Sequence, residues 1–105
     1  MIKEGVSMIL TIDEIVNRLN PILSNNEIGK AVLFGSYARN QATPESDIDL
    51  VIDTEITGLD FVGVMLDVED ALGKSVDLIP RRSIDKTHKI YKNIESEGVT
   101  IYEQG

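Results

Sequence analysis

Asp47 and Asp49 stand two positions apart in the stretch Ser46-Asp-Ile-Asp-Leu, where Ile48, Leu50 and Ile52 alternate with Asp47, Asp49, Val51 and Asp53. Strict alternation predicts a β-strand, and on a strand residues two apart project from the same face. Two carboxylates roughly 6 Å apart repel by about 3 kcal/mol at an effective dielectric near 20, before either is desolvated. A cation between them offsets that cost. With no cysteine and one histidine in the chain, the ligand set is oxygen, which points to Mg²⁺ or Mn²⁺ and away from Zn²⁺. Asp77, in the middle of the apolar run Val-Asp-Leu-Ile, is a third carboxylate on a second predicted strand. If the two strands are neighbours, the three converge in the layout of two-metal phosphoryl or nucleotidyl transfer. One cation then steadies the leaving pyrophosphate, the other lowers the pKa of the attacking hydroxyl, and a carboxylate takes its proton. The alternative from the same residues is a solvated sheet face, on which aspartates are ordinary.

Upstream, the apolar run Lys30–Phe34 delivers Gly35-Ser36 into the helical turn Ser-Tyr-Ala-Arg-Asn-Gln. The unpaired N–H groups of such a turn suit a phosphate, Gly35 lets the backbone come close, and the Ser36 hydroxyl can donate a further hydrogen bond; taken alone, Gly-Ser after a strand is equally read as an ordinary turn. Arg39, one turn on, is within reach of a phosphate or of a surface carboxylate. Tyr37 is placed either to pack or to line a nucleotide pocket. Arg81 and Arg82, just beyond the strand of Asp77, are read as solvated loop residues, with approach to a triphosphate or a partner as the alternative, and His88 as a surface residue of a Lys-rich segment.

The elements that must position these residues alternate between helix and strand. Thr11 and Glu14 form a T-x-x-E capping box, and Ile12, Ile15, Val16, Leu19 and Leu23 give the following helix an apolar stripe, which Pro21 is expected to kink or restart after Asn20. Lys30–Phe34, Ser46–Asp53, Lys74–Pro80 and Val99–Tyr102 read as strands. Leu59–Leu72 reads as a helix with Phe61, Val62, Met65, Leu66, Val68 and Leu72 near one face and Gly73 as its stop, and a last helix is expected from about Ser83 to Glu97. The fold class is α/β: a small mixed β-sheet with helices packed mainly on one face. Residues 1–105 are read as one domain, with 1–10 as a frayed extension and Met8 as an alternative start.

Composition bounds the partners. The 105 residues carry a formal charge of −8, which disfavours a general nucleic-acid surface and suits a basic protein or a cation-chelated nucleotide. No apolar run is long enough to span a membrane, and the N-terminus lacks the pattern of a signal peptide, so a cytoplasmic location is expected.

Gly35-Ser36, a short gap, Asp47-Ile48-Asp49 and a later strand with Asp77 together resemble the G-S-x(n)-D-x-D signature of the nucleotidyltransferase superfamily that includes DNA polymerase beta and kanamycin nucleotidyltransferase. The longer match Gly35–Ile52 resembles the minimal nucleotidyltransferases, the MNT antitoxins encoded beside HEPN-domain toxins. Asn40 stands where the family usually has glycine, and Asn tolerates a left-handed backbone. The resemblance implies Mg²⁺-dependent transfer of AMP from ATP to a tyrosine of a HEPN ribonuclease toxin. Asp47, Asp49 and Asp77 would then be catalytic and metal-binding, and Gly35, Ser36 and Arg39 nucleotide-binding. Two other readings stay open: an antitoxin that acts by binding alone, and a small-molecule nucleotidyltransferase completed by another subunit.

Overall fold

The computed structural model describes residues 9–104, with the side chain of Ile90 excepted. Met8 and most of the expected frayed extension lie outside the described residues; Leu10 is buried against the core.

Helix α1 (Ile12–Asn25) opens on the capping box: Thr11 Oγ1 accepts from the Glu14 amide at 3.0 Å and Glu14 Oε1 accepts from the Thr11 amide at 2.8 Å. The helix runs through Pro21, against the expectation of a break there. Pro21 is on the solvent side, and so is Asn17, whose carbonyl loses its helical donor, so water can satisfy the group that proline leaves unpaired.

Strands β1 (Ile28–Phe34), β2 (Ile48–Thr54), β3 (Val76–Pro80) and β4 (Val99–Glu103) form one mixed sheet in the order β3-β2-β1-β4. β1 is antiparallel to both neighbours, whereas β2 and β3 are parallel, with Asp49 opposite Asp77. Parallel pairing requires a crossover, and α2 (Gly58–Leu72) supplies it, ending at Gly73 with φ +67° as the sequence predicts.

One face of the sheet, with Ala31, Leu33, Ile48, Leu50, Ile52 and Leu78, packs beneath α1 and α2. The other face carries a smaller cluster of Val32, Val51 and Ile94, the last from α3 (Lys89–Glu97). β1 is therefore covered on both sides, as its unbroken apolar run implies. The expected face of α2 is corrected in part: Val64, Val68 and Leu72 are its buried positions, and Val62 and Leu66 are exposed. An apolar helix leaves its inward side to be decided by packing, since hydrophobicity then marks no single face.

α3 also starts later than its sequence suggests. Residues Arg81–Ser83 form a short 3-10 turn, Ile84 is extended, and Asp85 Oδ1 accepts from the Thr87 amide at 2.9 Å and its hydroxyl at 2.8 Å. Asp side chains compete in this way with helix formation, which postpones the helix to Lys89. Gly98 does more than stop it: a Cβ there would lie 2.5 Å from both Ile94 O and Val32 Cγ1, so α3 meets β1 closely only with glycine.

Candidate active site

The candidate residues gather at one end of the β1–β2–β3 segment. β1 ends at Phe34, whose partner in β2 is Asp49. Gly35, with φ +75°, turns the chain into a single helical turn closed by Arg39 N–H to Gly35 O at 3.1 Å and Gln41 N–H to Ser36 O at 2.8 Å. The amides of Ser36 to Ala38 precede the first of these bonds, as in any first helical turn. Asn40 has φ +59°, the left-handed conformation that its short amide side chain tolerates, so the turn survives where the resemblance leads one to expect glycine.

The return segment is equally specified. Ser46 Oγ accepts from the Thr43 amide at 2.8 Å, the Ser46 amide donates to Thr43 O at 3.0 Å, and Lys74 Nζ reaches Pro44 O at 2.9 Å. These bonds fix the turn before Asp47. The Ile48 amide donates to Ser75 O at 3.1 Å, which sets the register that brings Asp49 beside Asp77.

Because Ile48 and Leu50 are fully buried under the helices, Asp49 points to the opposite face. It is half-buried, whereas Asp47 and Asp77 are exposed. Burial, reinforced by the Asp77 and Asp47 charges and a hydrogen bond with Asp77, pushes the Asp49 carboxyl up to about 6; Arg39 pulls it the other way. Asp49 and Asp77 therefore form a close pair at neutral pH whose repulsion Arg39 offsets only in part.

The donor chemistry fits a hard divalent cation. Among the described residues no three carboxylates are gathered into a ready cage. Mg²⁺ does not require one, since it is commonly held by one or two carboxylates, with water and substrate phosphates completing its octahedron. The Asp49–Asp77 pair would supply those carboxylates, with Asp47 exposed at the entrance to β2.

The remaining candidates separate. Arg39 donates to Glu97 Oε1 and Gln41 Oε1, each at 3.3 Å, on the α3 side of the turn. Tyr37 is 4% exposed, packs in the core, and has a hydroxyl with no hydrogen-bond partner among the described residues. Arg81 and Arg82 are structural and lie toward the other end of β2: Arg81 Nε meets Asp53 Oδ1 at 2.7 Å, and Arg82 donates to the Thr54 carbonyl and, at 2.6 Å, to Ile56 O. Sequence reasoning missed these anchors; Asp53 on the face of Asp49 was their one visible signal.

Residues 17–105 match the family model described as polymerase beta, nucleotidyltransferase. Two relatives from Methanocaldococcus jannaschii, both named as candidate protein adenylyltransferases, are 36% and 34% identical over 95 residues, covering 88% and 86% of this chain and 99% and 94% of theirs. A solved candidate minimal nucleotidyltransferase is 26% identical, with a TM-score of 0.72 over 86% of this chain and 95% of its own. A toxin–antitoxin structure with AMP-PNP (22% identity, TM-score 0.73, 85% of this chain and 73% of that one) shares the fold. So does the complex of a tri-AMPylated Shewanella oneidensis HEPN toxin with its MNT antitoxin (19%, 0.68, 90% and 74%).

Proposed function

Since the chain belongs to the polymerase beta nucleotidyltransferase family, we propose that it is a protein adenylyltransferase that moves AMP from ATP to a tyrosine of a HEPN-type toxin, and so acts as its antitoxin. The observation that carries this reading is the register of β2 and β3, which sets Asp49 beside Asp77 next to the Gly35-Ser36 turn. Relatives named as candidate protein adenylyltransferases and fold neighbours that include an AMPylated HEPN toxin complex support the choice of acceptor.

In this account the amides after Gly35 and the Ser36 hydroxyl hold the triphosphate, and Arg39 exchanges Glu97 for a phosphate oxygen. Asp47, Asp49 and Asp77 would hold Mg²⁺, which when bound would neutralise phosphate charge and acidify the attacking hydroxyl. The acceptor oxygen forms a bond to the α-phosphorus, the bond from that phosphorus to the bridging oxygen breaks, and pyrophosphate departs. The hydroxyl proton passes to a carboxylate, for which exposed Asp77 is the accessible choice.

The position of the label tests the reaction class. With the protein and a HEPN-type toxin encoded beside it, ATP labelled at the α-phosphate should label the toxin and ATP labelled at the γ-phosphate should not. Transfer of γ-label, or of none, would count against the proposal.

A further inference from the structure

The outward side of α2 has a composition that the catalytic face does not explain. Leu59 is 87% exposed, Leu66 56% and Val62 40%; Leu59 and Leu66 lie four and three positions from Gly63, and Val62 lies three and four positions from the two leucines, so the four share one side of the helix. Gly63 is in the middle of a helix, has no positive φ, and a Cβ there would meet nothing within 4 Å. Glycine at such a place weakens a helix relative to alanine with no return inside the fold. What it leaves on the outer side is room for another backbone to approach closely.

Charge states what approaches. α2 carries Asp60, Asp67, Glu69 and Asp70 and no basic residue. A groove of about 400 Å³ runs beside Gly63 between Asp60 and Asp67 of α2 and Glu27 at the end of α1, whose last turn also lacks a basic residue. The negative end of the α1 dipole thus adds to three carboxylates. A second copy of this chain would bring the same acids against them.

The geometry points to α2 as a docking surface for an amphipathic helix of a basic partner protein, with an apolar ridge over Leu59, Val62, Gly63 and Leu66 and Lys or Arg in the groove. α2 covers the sheet face opposite Asp49, so a helix seated there leaves the catalytic face open. Docking and transfer are then separable.

The test uses the full chain and two synthetic helical peptides, one with a leucine ridge flanked by lysines and one with the lysines replaced by glutamates, at about 0.15 M ionic strength. The lysine peptide should bind and the glutamate peptide should not. Gly63→Gln, which adds bulk without charge, and Leu59→Ser/Leu66→Ser should each weaken binding at least tenfold while thermal melting shows a folded chain. Both variants keep the charge of −8, so attraction by charge alone would persist in them, and undiminished binding would overturn the inference. Failure of the lysine peptide to bind would overturn it too. A wild-type dimer in sedimentation equilibrium that Leu66→Ser dissolves would assign the surface to a second copy instead.

Discussion

A Cβ on Gly35 would collide with Oδ2 of Asp49 and come within 3.2 Å of its Cγ, so the turn backbone and the half-buried carboxylate fill adjoining space. The glycine thus meets two demands at once: a φ of +75° and room for the acid. Gly35→Ala should cost about 1–3 kcal/mol of stability and most of the transfer activity. Asp49 can swing aside and the backbone cannot, so in an Asp49→Ala background the same change should cost less, but not nothing. Equal costs in both backgrounds, measured by urea denaturation, would show that the contact has no energetic weight.

The pH dependence of the metal-free protein follows from the same carboxylate. Asp49 ionises near 6 when folded and at about 3.8 as its reference value, so between these pH values the folded chain holds the extra proton. Its contribution therefore opposes folding in full above about pH 6, shrinks as the pH falls, and vanishes below about 3.8. With chelator present, Asp49→Asn should be folded and at least as stable as wild type at pH 7, with the advantage narrowing toward pH 4.5. Parallel stability curves for the two proteins would refute the assignment.

Mg²⁺ with a non-hydrolysable ATP analogue should raise the melting temperature more than either component alone, because ligands bound only by the folded state stabilise it, by about 2.7 kcal/mol at a hundredfold excess over Kd. Asp47→Asn should remove most of that shift. If it leaves the shift intact, Asp47 takes no part in the site.

Much of this arrangement is legible in the sequence, because local chemistry dictates it. The capping box places α1, alternation places β2 with Asp49 on the face opposite Ile48 and Leu50, although the strand begins at Ile48 and leaves Asp47 just before it, and Gly73 ends α2. Asp49 meeting Asp77 depends on β2 and β3 being parallel neighbours in one register, a long-range fact that no local pattern contains. The exposed stripe of α2 and the late start of α3 were hidden for related reasons. An apolar helix does not announce which side faces inward, and the Asp85 turn competes with a helix that the apolar spacing also permits.

Arg81 separates structural from chemical arginines. Its ion pair with Asp53 has side chains 23% and 41% exposed, so Arg81→Ala should lower stability by about 0.5–1 kcal/mol and leave the rate of transfer unchanged. Arg39→Ala should do the reverse, slowing transfer with little loss of stability. A transfer defect in Arg81→Ala at a temperature where it is fully folded would move the nucleotide site toward that end of β2.

The central claim is that covalent transfer, not binding, silences the partner, and intact-mass spectrometry of the toxin at a tenth of an equivalent of this protein tests it most directly. With ATP and Mg²⁺, the toxin should gain adenylate masses beyond the amount of protein added and lose its ribonuclease activity in step, and Asp77→Ala should slow both by about 10²–10⁴-fold. Inhibition that needs a full equivalent, proceeds without ATP, adds no mass and is untouched by Asp77→Ala would contradict the account.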